Sequence, residues 1–206
     1  SLNNLYNEGK LPRVNVYVDS PLSVNATEIF RLHPECFNRE VLEVIEQDPD
    51  PFGFNTLKYI KNVEESKKLN TTDTPCVIIS ASGMMEAGRV KHHLANSISN
   101  PKNTVLAVGY CAPETLGARI LRGEKKVSIH GNKYSVRAEI RKIDSFSGHG
   151  DYMEMGEYLK CQNADELKKI FLVHGEIGPQ EKYKAHLESI GFKGIEIPAA
   201  GDEYNI

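Results

Sequence analysis

Cys76-Val77-Ile78-Ile79-Ser80-Ala81-Ser82-Gly83-Met84-Met85 carries a short apolar run directly into a loop of small residues. A helical pattern follows near Glu86 to Ala95, and the rhythm repeats when Thr104-Val105-Leu106-Ala107-Val108 leads into a helix near Thr115 to Leu121. Strands this apolar are usually buried on both faces of a parallel sheet. The expected class is therefore α/β, with a parallel, Rossmann-like sheet. Upstream, Val14, Val16 and Val18 alternate with Asn15 and Tyr17 as in a strand, and Asp19-Ser20-Pro21 supplies a cap and first-turn proline for a helix over roughly 22 to 33. Val41, Leu42, Val44 and Ile45 give a further helix that Pro49 and Pro51 stop.

Downstream the texture changes near residue 125. Lys126 to His130 and Tyr134 to Ile140 flank Gly131-Asn132 and read as an antiparallel hairpin. The strand-then-helix rhythm returns with Ile170-Phe171-Leu172-Val173, a helix from Pro179 to Ile190 stopped by Gly191, and a last strand at Ile195-Glu196-Ile197. Residues 1–125 and 126–206 are the expected domains.

The 206 residues, 40% hydrophobic and 26% charged, suffice for one large domain or two small ones. No apolar run approaches the roughly 20 residues of a membrane span, and Ser1-Leu2-Asn3-Asn4 has no leader pattern. A cytoplasmic chain with no membrane partner is expected. Cys36, Cys76, Cys111 and Cys161 form no CxxC pair, which excludes a thiolate zinc motif or redox motif and leaves buried free thiols as the expectation. A net charge of -3 argues against indiscriminate nucleic-acid binding, yet Arg119 to Lys142 holds eight basic residues against Glu124 and Glu139. That strip faces phosphate, or it is the solvated side of a hairpin.

Three motifs could carry chemistry. Ser80, Ser82 and Gly83 would bring hydroxyls and amides to a positive helix end, with Arg89 one turn on to fork onto phosphate oxygens; serine and glycine are equally ordinary turn and cap residues. Ser147-Gly148-His149-Gly150-Asp151 places a histidine where it can donate a proton, oriented by Asp151 or another carboxylate. A serine triad is disfavoured there, because the base must approach the serine from another element. His174 ends an apolar strand, so its ring emerges at a usual ligand position in open sheets and can ligate zinc. His92 and His93, adjacent on one helix, point to different faces and read as structural.

Taken together, Val18-Asp19-Ser20-Pro21-Leu22, Asp50-Pro51-Phe52, Ser80 to Met85 with Gly88-Arg89, Gly109-Tyr110, Ser147 to Asp151 and Leu172-Val173-His174-Gly175-Glu176 resemble the β-CASP branch of the metallo-β-lactamase superfamily. That branch contains RNA-processing nucleases, including the pre-mRNA 3′-end endonuclease subunit. The resemblance implies a β-CASP domain over 1–125, followed at 126–206 by the C-terminal segment of a metallo-β-lactamase domain. It implies a zinc-dependent ribonuclease in which His149 protonates the leaving group or steadies the scissile phosphate. His174 would ligate one of two zinc ions that activate water. Gly148 and Gly150 stand where many relatives have alanine, giving His149 a freer backbone. The HxHxDH run expected of such enzymes is not in the sequence.

The resemblance therefore implies a C-terminal fragment that acts with the missing N-terminal metallo-β-lactamase portion. Alone, it is expected neither to hold both zincs nor to cleave RNA. Single-stranded RNA is the implied partner, and a homodimer is compatible. Two other readings compete: a noncatalytic RNA-binding or scaffold subunit, and a self-contained module binding nucleotide or phosphate through Ser80 to Gly83.

Overall fold

A computed structural model describes residues 2–143, 146 and 150–205. The chain forms two compact units, residues 1–146 and 147–206, each with its own apolar core. After α1 (Leu2–Asn7), the valine alternation forms β1 (Asn15–Val18). Ser20 then caps α2 (Pro21–Leu32): its side chain accepts from the Ser23 amide at 3.3 Å, while Pro21 sits in the first turn, where no donor is needed. A 3₁₀ turn (Pro34–Cys36), α3 (Arg39–Gln47), β2 (Leu57–Tyr59), α4 (Val63–Leu69) and β3 (Cys76–Ile79) follow.

β1 pairs in parallel with β2 on one side and β3 on the other. The strand order thus reverses beside β1, which opens a crevice at the C-terminal ends of β1 and β3, where ligands bind in open α/β sheets. Two residues deliver their backbone into that place, Asp19 from β1 and Ser80 from β3.

The first unit continues with α5 (Arg89–Ser97), β4 (Thr104–Ala107), α6 (Leu116–Leu121), β5 (Lys126–Ile129), β6 (Asn132–Ser135) and β7 (Glu139–Lys142). α5 begins three residues later than the periodicity suggests, because residues 81–88 fold into a closed loop first. β5 and β6 form the expected hairpin, turning through His130 (φ 50°) and Gly131 (φ 79°), as a two-residue hairpin turn requires. Its second arm is shorter than expected. The Arg137 and Ala138 amides both donate to the Ile98 carbonyl at 3.0 Å, which draws the chain out of the hairpin. β7 then pairs in parallel with β4. The inner hairpin residues Val127 and Ile129 are 1% and 0% exposed and pack with Leu94, Ile98 and Ile120. The change of texture near residue 125 thus marks the start of the hairpin, whereas the compact units divide after Phe146.

Two expectations need correcting. β3 and β4 do not bury both faces: Val77, Ile79 and Leu106 remain 38%, 42% and 48% exposed. On β4, α5, α6 and the hairpin cover only the face carrying Val105 and Ala107. The cysteines are free, but Cys36 and Cys161 are exposed, and Cys76 and Cys111 are half-buried. Partial burial pushes the Cys76 and Cys111 thiols up, away from thiolate character.

The second unit packs α7 (Tyr152–Leu159) and α8 (Ile177–Ser189) with the parallel pair β8 (Ile170–Phe171) and β9 (Ile195–Glu196). Leu187, Phe192 and Ile195 are its innermost residues. Gly156 lets the helices close up, since a Cβ there would lie 2.6 Å from His186 Nε2. Among the described residues, no helix is long and apolar enough to cross a membrane.

Candidate functional site

The crevice beside β1 is filled by charge. Asp19, wholly buried, accepts at Oδ2 from the Ser66 hydroxyl at 2.6 Å and lies 2.6 Å from His93 Nε2 through the same oxygen. Its Oδ1 accepts from the Arg89 guanidinium, which also donates to the carbonyls of Ile60 and Lys61 at 3.2 Å each. His93 Nδ1 in turn meets Asn70 Oδ1 at 2.7 Å. Burial alone would raise the Asp19 carboxyl. The hydrogen bonds from Ser66, Arg89 and His93, together with the Arg89 charge, outweigh it and hold the carboxyl below its ordinary value. A buried carboxylate is tolerated because every partner is in place.

This network was not evident from the sequence. Asp19 read as part of a helix start and His93 as a structural histidine. The signal lay in spacing: Arg89 and His93 are four apart on α5, so they share the face that looks onto the end of β1. Arg89 therefore stands in the crevice, with its guanidinium engaged by Asp19.

Above the network, residues 80–88 form a closed loop. The Ser80 hydroxyl donates to the Asp19 carbonyl at 2.8 Å, the Ser82 amide to Ala87 at 3.3 Å, and the Met85 amide to Ser82 at 3.0 Å. Met85 is buried in the left-handed region (φ 62°), and Gly88 (φ 76°) approaches so closely that a Cβ would lie 2.5 Å from the Ala81 carbonyl oxygen. On the far side, the Gly117 amide donates to the Met84 carbonyl at 3.1 Å. The loop is fixed from below by Asp19 and from the side by α6. Ser82 is half-buried, whereas Gly83 is exposed, with open space where a side chain would stand. A ligand phosphate has room there.

In the second unit, Asp151 caps α7. Its Oδ1 accepts from the Met153 and Glu154 amides at 2.8 and 2.9 Å, while Glu154 reaches back to the Asp151 amide at 3.0 Å, completing a capping box. His149 lies outside the described residues. His174 follows the β8 strand in the left-handed region (φ 68°) with its ring exposed, and Gln180 Nε2 holds its carbonyl at 2.9 Å. A non-glycine residue held there by its surroundings is a feature of ligand clamps and active sites. Among the described residues, no three His, Cys, Asp or Glu side chains gather as a group able to hold a metal ion. His174 offers a single donor, and a zinc site would need donors from beyond this set.

Comparison with known proteins agrees with the α/β fold. Residues 1–120 match the Beta-Casp domain, and residues 133–198 match the Zn-dependent metallo-hydrolase RNA specificity domain. The chain belongs to the Beta-Casp family of metallo-β-lactamase-type nucleases. It is 32% identical over 197 residues to Ribonuclease TTHA0252 of Thermus thermophilus, covering 95% of this chain and 44% of the relative. It is 34% identical to an RNase J-like protein of Methanocaldococcus jannaschii, over 85% of this chain and 39% of the relative. Against the transcription termination factor FttA of Methanosarcina mazei the identity is 32%, over 92% of this chain and 30% of the relative. The chain thus spans less than half the length of these relatives.

Proposed function

We propose that this chain is the substrate-facing part of a zinc-dependent ribonuclease that hydrolyses RNA phosphodiester bonds. The observation that carries the reading is His174, an exposed residue held in a left-handed backbone three positions beyond the end of β8, inside a stretch similar to a zinc-dependent metallo-hydrolase segment. The ribonuclease-named relatives support RNA as the substrate.

In this reading Ser82 and Gly83 meet a substrate phosphate at the mouth of the closed loop. Ser80 and Arg89 are positioning residues, since both are bonded to Asp19 and fix the loop on the sheet. His149 protonates the departing oxygen. Asp151 caps the start of α7 two positions further along the sequence. His174 gives one nitrogen to zinc, and the remaining donors come from the rest of the intact protein. Bound zinc supplies a water activated near neutral pH and an electrostatic partner for the developing charge. With His174 as its one proposed ligand, the isolated chain should not retain zinc or cleave RNA.

Metal analysis tests this. The intact protein should carry zinc that His174→Ala reduces, while purified 1–206 should hold less than one zinc per chain after dialysis. Two tightly held zincs on the isolated chain would refute the assignment.

A further inference from the structure

Of the basic residues between Arg119 and Lys142, the structure pairs Arg119, Arg122 and Arg141 with acidic neighbours and leaves Lys125, Lys126, Lys133 and Arg137 exposed. Glu124 is held by Arg119 at 2.9 Å and by Arg122 at 3.5 Å, and Arg141 closes on Glu139 at 2.6 Å. These pairs neutralise both acidic residues of the strip. From Lys125 to Arg137 the chain carries Lys125, Lys126, Lys133 and Arg137 with no Asp or Glu among them, and all four are exposed.

The hairpin register arranges them. Lys126 stands opposite Ser135, and Lys133 opposite Ser128. All four are exposed, while Val127 and Ile129 point into the core. Lys126 and Lys133 are therefore diagonal neighbours on the outer face, about 7 Å apart at the backbone, with a serine hydroxyl opposite each. Two ammoniums on flexible stems and two hydroxyls make a narrow grid of hydrogen-bond donors that suits successive phosphates of one strand. At the turn, the exposed His130 is stacked on His92 of α5, with ring centroids 4.5 Å apart. Clustered cations without an acidic neighbour are the sequence-independent part of nucleic-acid backbone binding.

We propose that the outer face of the β5–β6 hairpin is an RNA-backbone contact surface, separate from the loop above β1 and β3, that adds affinity without reading sequence. The inference deepens the ribonuclease reading and rests on it for the identity of the polyanion. It assigns Lys126 and Lys133 one phosphate each.

The test is fluorescence anisotropy of a labelled single-stranded oligouridylate against the full 206-residue chain, titrated with salt. The variants are Lys126→Gln/Lys133→Gln and, as an equal-charge control, Lys58→Gln/Lys182→Gln. Loss of two phosphate contacts should lower the slope of log K against log salt by about 1.4, or about 25-fold in affinity at 0.1 M salt if the curves meet near 1 M. The control should keep the wild-type slope, and matched thermal unfolding of the two doubles shows that the hairpin is intact. Equal slopes for both doubles would overturn the inference while leaving the ribonuclease reading standing. Binding of poly-glutamate through Lys126 and Lys133 with no RNA binding would overturn it in favour of an acidic protein partner. If wild type does not bind RNA the inference also fails, and the ribonuclease reading fails with it only if the intact protein does not cleave RNA.

Discussion

Asp19 determines whether the crevice end of the first unit holds together. Its carboxylate is wholly buried among Ser66, Arg89 and His93, so Asp19→Ala should leave a half-buried guanidinium and a buried histidine and serine without their shared acceptor and cost about 2–4 kcal/mol. Urea unfolding measures this, and a loss under 1 kcal/mol would mean the network is decorative. Because the folded carboxyl sits below its ordinary value, its stabilisation is fully present above the unfolded pKa of about 3.9 and is lost as pH falls from there through the folded pKa. Stability should therefore decline more steeply below about pH 4 in wild type than in Asp19→Asn, and parallel declines would contradict the account. The sequence hinted at this through the i, i+4 spacing of Arg89 and His93, but nothing in a linear reading places Ser66 and Asn70 beside them. Those contacts come from α4 folding back between β2 and β3.

Among the elements, the loop from Ser80 to Gly88 matters most, because its shape depends on one glycine. Gly88→Ala would put a Cβ against the Ala81 carbonyl at a positive φ and should destabilise the first unit by about 1–3 kcal/mol, read as a lower thermal midpoint; an unchanged midpoint would show that the loop relaxes freely. The strand-loop-helix order around it was legible because β3 and β4 are short apolar runs bounded by turn residues, and the Ser20 cap was legible from Ser-Pro. The true start of α5 was not, since internal loop bonds displace it to Arg89. The end of the hairpin was not legible either. Val136 and Ile140 continue the apolar alternation in sequence, yet the Ile98 carbonyl captures two successive amides and sends β7 to β4. β-pairing depends on such distant partners, and local propensity does not carry them.

At the scale of the whole molecule, two compact units carry the two kinds of site residue: the loop on the parallel sheet of the first, and Asp151 and His174 in the second. The motif order made the family legible, whereas no periodicity could reveal that His174 adopts a left-handed backbone. The exposed faces of β3 and β4, with Val77, Ile79 and Leu106 open, fit a chain that spans less than half of the relatives it matches. The central claim is that His149 and His174 serve one RNA-hydrolysing centre in the intact protein. The most direct measurement is single-turnover cleavage of a labelled single-stranded RNA by the intact protein and by its His149→Ala and His174→Ala variants. Each substitution should lower the rate by about 10²-fold or more, the scale of a lost general acid or a lost metal ligand. Wild-type rates in both variants would contradict the account.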